Sequence, residues 1–221
     1  MGFMANYAAA VENDTNERIV PIHEEPNHRH VLHSKSIRVF DAFFPPGKVS
    51  LYHSHEKDSV LICLDGGDVT SEEPGKELVP RPPIPSGLIY YRPYATTPFV
   101  HRIRNLSTTS FRILDIEVLK APGSALALPK LPDIFNIALE NERVRVTKLS
   151  LAPGQSTGEI KFSSPRLLAI TKAGKFTFSS DSQSQVIEAD RGSLDVRENA
   201  EKETITNIGN DVAEIVIVEV K

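Results

Sequence analysis

The stretch GKVSLYHSHEKDSVLICLDG, Gly47 to Gly66, decides the fold. It sets His53 and His55 one residue apart, ahead of the apolar, β-branched run from Ser59 to Leu64. In a strand, alternate side chains face the same way, so the two histidines point together off one face. Neutral imidazole is the commonest protein ligand for divalent transition metals, and two from one strand need a third from elsewhere. His101, at the start of HRIRN, is the candidate. An HxH pair alone is often only surface or packed histidine, so the site depends on what lies around it. Continued alternation puts His53, His55, Lys57, Ser59, Leu61 and Cys63 on one face. Asp58 falls on the other face, unless a bulge re-aims it.

Outward from this stretch, short runs rich in β-branched and aromatic residues recur. They are IRVFDAFF (Ile37 to Phe44), LIYYR (Leu88 to Arg92), FRILDIEVL (Phe111 to Leu119), VRVTKLSL (Val144 to Leu151), RLLAIT (Arg166 to Thr171), KFTFSS (Lys175 to Ser180) and AEIVIVEV (Ala213 to Val220). Gly, Pro, Asn, Asp and Ser divide them, and no segment shows a long helical period. VPRPPIPSG (Val79 to Gly87) is too poor in backbone donors for a central strand and reads as a surface loop.

The chain also repeats itself. Ile37 to Gly47 lies over Val144 to Gly154 at an offset of 107 residues, and the same offset puts Val60–Leu64 over Leu167–Thr171. HRIRN, ending at Asn105, answers ETITN, ending at Asn207. Two similar β units are the simplest architecture. The expected division is a flexible tail at 1–17, a unit at 18–120, a linker at 121–132 and a second unit at 133–221.

Composition bounds the function. In 221 residues, 40% are hydrophobic and 24% charged, with a net charge of -4 and no basic stripe. That disfavours nucleic acid as a partner. No apolar run approaches a membrane span. A single cysteine, Cys63, forbids an internal disulfide and favours a reducing compartment, read as the cytoplasm. The first residues lack a basic start or an apolar signal run, and Asn6 stands where a myristoylation signal wants Ser or Thr.

These motifs resemble the cupin superfamily. Its first motif is a glycine, five residues, His-x-His, a glutamate after a further three or four, and a closing glycine. Gly47, His53, His55 and Gly66 match. Its second motif ends in a histidine, three residues and an asparagine, as His101 and Asn105 do. The resemblance spans both halves and implies a bicupin: all-β, with two double-stranded β-helix (jelly-roll) barrels, each with its site in the mouth. It also implies one divalent transition metal, with Fe, Zn, Mn, Ni and Cu undistinguished. The pattern departs at the carboxylate, since Ser59 occupies the glutamate slot. Thr96 and Pro98 depart in the second motif's usual proline-glycine stretch. The reading is therefore three histidines, with Asp58 as a contested fourth ligand. In the second half Ile160, Phe162 and Glu203 replace His53, His55 and His101, so that barrel reads as structural.

Three histidines leave open coordination positions for a small organic substrate. The ligand set is similar to that of thiol- and diketone-cleaving dioxygenases among cupins. Three readings follow: a dioxygenase, a metal-assisted isomerase, cyclase or lyase, and a non-catalytic ligand-binding or storage-like protein. Expected pocket residues are Ser59, Leu61, Cys63, Tyr90, Tyr91, Arg92 and Phe99. The expected partner is a small molecule, without nucleic acid or membrane, and a homodimer is left open. A second histidine cluster, IHEEPNHRHVLHS with His23, His28, His30 and His33, reads as a polar edge strand. The alternative is that one of its histidines reaches the cavity as an acid or base.

Overall fold

The structure is a computed structural model that describes residues 18–121, 127–180 and 183–221. The expected tail (1–17) and the middle of the expected linker lie outside the described residues. The first half carries β1 (Ile19–Pro21), a 3-10 turn (Ile22–Glu24), β2 (His28–His33), β3 (Ile37–Phe44), β4 (Tyr52–His55), β5 (Ser59–Asp65), β6 (Val69–Glu72), β7 (Ile89–Arg92), β8 (Phe99–Asn105) and β9 (Phe111–Val118). The second half carries β10 (Phe135–Glu140), β11 (Val144–Leu151), β12 (Ser156–Phe162), β13 (Arg166–Lys172), β14 (Gly174–Ser179), β15 (Ser184–Ala189), β16 (Leu194–Arg197), β17 (Glu201–Asn207) and β18 (Ala213–Val220). No helix of the described residues is long and apolar enough to cross a membrane.

Each half folds into a pair of sheets. The first half has a sheet in the order β1-β4-β8-β6 and another in the order β2-β3-β9-β5-β7. The second half repeats this as β12-β17-β14-β15 and β10-β11-β18-β13-β16. The protein is thus all-β, with two jelly-roll barrels.

The central strands of the larger sheet of each barrel are buried on both faces, which explains why they read as nearly unbroken apolar runs. Along β5, Val60, Ile62 and Leu64 pack with Val144, Val146, Leu167, Val216 and Val218 of the other half. The alternate residues, Leu61 and Cys63, enter the first barrel with Phe44, Ile103 and Phe111. Burying each such aliphatic contributes roughly 1.5–3 kcal/mol, so the shared layer between the barrels is a large part of the fold's stability. An ion pair reinforces that junction: Arg143 Nε donates to Asp58 Oδ2 at 2.8 Å, and Arg143 also donates to the Lys120 carbonyl at 2.7 Å.

The repeated PG pair closes the same turn in each half. Lys48 N–H donates to Pro45 O at 3.0 Å, and Gln155 N–H to Ala152 O at 2.9 Å. Gly47 (φ 73°) and Gly154 (φ 75°) take the left-handed position after proline that a type II turn requires. The repeated asparagines lock a second turn. Asn105 Nδ2 donates to Phe44 O and Thr109 O, and Asn207 Nδ2 to Leu151 O and Asp211 O, all at 2.8 Å.

Candidate metal centre

β4 and β8 lie side by side in the smaller sheet, with His53 directly opposite His101. Alternation puts His55 on the same face, and all three rings point into the first barrel. The ligand atoms of His53, His55 and His101 lie within 4.8 Å of one another, and all three residues are buried. His55 Nε2 and His101 Nε2 face each other at 3.0 Å.

The outer nitrogens are held by the scaffold. His53 Nδ1 donates to the Leu51 carbonyl at 3.0 Å. His101 Nδ1 lies 2.7 Å from the Ser71 hydroxyl on β6. His55 Nδ1 lies 3.1 Å from Asp115 Oδ2 on β9, at ion-pair distance but misaligned for a hydrogen bond. Outer partners of this kind fix the ring and aim the remaining lone pair inward. His53 Nε2 is left buried without a partner. An orphaned buried nitrogen is costly unless something binds it.

Electrostatics act the same way. Burial, with the neighbouring His28 and His55, pushes the His53 imidazole down to about 3. Burial, with His53 and His55, holds His101 well below its ordinary value. Both rings are therefore neutral at pH 7, the form that binds a metal. Burial alone would raise the Asp115 carboxyl, but His55 and Ser59 outweigh it and keep it below the usual carboxylate range. The donor set fits a divalent transition ion. Two nitrogens bonded at right angles to one metal at ~2.1 Å lie about 3.0 Å apart.

Two further features stand at the site, the first not expected from sequence and the second the alternative left open for the His23 to His33 cluster. Asp115 sits in FRILDIEV as a carboxylate 1% exposed, on the inward side with Phe111 and Ile113. That alternation was a readable signal. The second is His28, the first residue of edge strand β2, whose ring centroid lies 4.4 Å from that of His53. Its Nδ1 meets Glu25 Oε2 at 2.6 Å. Glu25 also accepts from Asn27 and from the Leu51 N–H, and these partners hold its carboxyl low despite burial. The His28 residue also lines the cavity. His30 and His33 stay exposed on the edge, as a polar edge strand requires, and His23 is exposed as well.

The histidines open on a cavity of about 440 Å³. Leu61, Tyr90, Arg92 and Phe99 line it as expected, joined by Arg81, Tyr94 and Phe111. Three expected pocket residues lie elsewhere. Alternation along β7 turns Tyr91 away from Tyr90 and Arg92, against the layer between the barrels. Cys63 packs in the wall behind the cavity, where burial, then Asp65, pushes its thiol up to about 11. Ser59 is buried and donates to the Lys57 carbonyl at 3.1 Å. Asp58 is not brought to the histidines. Besides Arg143 it accepts the Ala95 N–H at 3.1 Å, so its oxygens are engaged at the junction.

No family model matches the chain, and no curated protein resembles it in sequence. Solved structures do resemble it in fold. AerE from Microcystis aeruginosa aligns over 89% of this chain and 98% of its own, with a TM-score of 0.61 at 12% identity. A Lactobacillus farciminis oxalate decarboxylase in complex with formate aligns over 84% of this chain and 77% of its own, with a TM-score of 0.59 at 12% identity. The chain has the cupin fold. Its two barrels make it a bicupin. A Bacillus subtilis oxalate decarboxylase with Mn(II) centres aligns over 84% of this bicupin and 69% of its own chain, with a TM-score of 0.56 at 12% identity. Among the described residues of the bicupin, the histidine cluster lies in the first barrel alone.

Proposed function

We propose that this bicupin is a metal-dependent enzyme that acts on a small organic molecule, with a three-histidine site of the dioxygenase type. One observation carries the reading. Three inward-facing imidazoles, each held by an outer partner, converge at the wall of a cavity. A bound divalent ion would supply Lewis acidity there and, if it is iron, dioxygen chemistry. His53, His55 and His101 would hold it. Asp115, Ser71 and the Leu51 carbonyl orient them. The neutral ligand set leaves the centre more positive than one with a carboxylate, which favours an anionic substrate. Protein purified without added metal should contain close to one transition ion per chain, and oxygen uptake should accompany turnover. Absence of stoichiometric metal would count against any metal-dependent reading.

A second reading, an isomerase, cyclase or lyase that uses no oxygen, draws support from the Glu25–His28 pair. Its carboxylate holds the Nδ1 proton, which leaves Nε2 as the group that can accept a proton in the cavity. Tyr94, whose ring centroid lies 4.9 Å from that of His55, adds a phenol that burial and Asp115 keep protonated. Turnover without oxygen consumption would select this reading. The lone buried Cys63 supports a reducing compartment such as the cytoplasm.

A further inference from the structure

Among the described residues, arginine pairing has two exceptions, and both line the same cavity. Arg18, Arg29, Arg38, Arg102, Arg104 and Arg112 of the first half each lie within ion-pair distance of a carboxylate. Arg143, Arg145, Arg166, Arg191 and Arg197 of the second half do so as well. Arg81 and Arg92 are the remaining arginines of the sequence. Arg81, from the proline-rich loop, donates its Nε to the Val69 carbonyl at 3.1 Å. Arg92, at the end of β7, lies over the Tyr90 ring at 5.2 Å and near Tyr94. Each keeps further N–H donors without a carboxylate partner. They lie close enough for Arg92 to oppose the charge on Arg81, and both residues keep an exposed side toward solvent.

Among the described residues, the only acidic side chain lining the cavity is Asp115, which lies at ion-pair distance from His55. Phe44, Leu61, Phe99, Ile103, Phe111 and Ile113 make a large apolar share of the walls, with Ser71, Tyr90, Tyr94 and Thr97 among them. Two guanidinium groups at a cavity, neither with a carboxylate in ion-pair distance, call for an anion. The planar fork of arginine matches a carboxylate in particular. A two-carbon diacid would leave most of about 440 Å³ unfilled. We propose that the cavity takes an organic acid with an apolar, aryl- or alkyl-sized body, its carboxylate held by Arg81 and Arg92. This rests on the reading of the cavity as the substrate site, but it needs no metal, because neither arginine belongs to the histidine cluster.

The test is calorimetric titration of the full chain at neutral pH with benzoate, phenylacetate, 3-phenylpropionate and the uncharged 3-phenylpropionamide. At least one of the acids should bind, and 3-phenylpropionate should bind about tenfold or more tightly than its amide. In the Arg81→Gln/Arg92→Gln variant that preference should vanish while amide binding is unchanged. Arg81→Lys and Arg92→Lys, which keep charge but lose the fork, should each weaken the acid several-fold. They serve as the readout if the double variant does not fold. The His53→Ala variant should lose metal yet keep the preference for acid over amide, so failure of the metal reading and failure of this one give different results. The inference is overturned if no acid binds, if acid and amide bind alike, if the preference survives loss of both arginines, or if it disappears with His53.

Discussion

The two barrels answer the same structural question in opposite ways. In the first, β4 and β8 set His53 opposite His101, and the side chain at the start of β5 is the short Ser59. In the second, the equivalent strands set Ile160 opposite Glu203, and β13 starts with Arg166. Arg166 is fully buried and reaches where the first barrel keeps its imidazoles. It lies over the Phe162 ring at 4.2 Å, bonds Glu203 at 3.1 Å and pairs with Glu201. Burial raises the Glu203 carboxyl, and the guanidinium beside it only partly offsets this. The second barrel thus carries its own covalently attached cation. The first has neutral nitrogen donors and no such side chain. Elsewhere the halves agree: Arg38 meets Glu117 at 2.5 Å, and Arg145 meets Glu219 at 2.6 Å in the matching place. The scaffold has kept its framework ion pair in both halves and differs at the centre.

The sharpest way to break this comparison is to remove the built-in cation. Arg166→Met should leave Glu203 buried without its partner and cost about 3–5 kcal/mol in urea unfolding, with metal content unchanged. Adding Glu203→Leu should recover much of that loss. In the first barrel, His55→Ala should weaken metal binding by about a hundredfold or more without unfolding the chain, as read by elemental analysis and circular dichroism. Asp115→Asn removes only the outer partner and should weaken metal about 10- to 100-fold.

The pH response should also divide the barrels. His53 is held near 3 in the folded chain against 6.5 unfolded. Its contribution to stability is therefore present above pH 6.5 and lost as pH falls below it, because the unfolded chain takes up the proton first. His101 acts in the same direction. Metal-free protein should lose stability between pH 7 and pH 5, and His53→Gln should flatten that slope. A flat profile in the parent protein would contradict the burial argument. The smallest effect belongs to the junction. Asp58→Ala should cost about 1–3 kcal/mol through Arg143 and leave metal affinity unaltered. Lost metal would restore Asp58 as a ligand.

Much of this was legible in the chain. Alternation places His53 and His55 on one face, and the 107-residue offset shows two units and the replacement of that pair by Ile160 and Phe162 in the second. These are local facts, set by the period of a strand and by spacing along the sequence. The same rule, applied strictly, separates Tyr90 from Tyr91, and it marks Asp115 as a carboxylate among inward apolar residues. It could not say what stands across the barrel. Asp115 meets His55 through contact between two sheets, and Ser71 reaches His101 from β6. His28 enters from an edge strand whose register shifts between His30 and Leu32. Asp58 is drawn off by Arg143, which lies in the other half. The sequence by itself determined the all-β repeat and the three converging histidines, because period and spacing are properties of one strand at a time. The tertiary structure decided the outer partners, the unpaired arginines over the cavity and the use of Arg166 as an internal cation. Those depend on which faces meet when sheets close, and closure joins residues far apart in the chain.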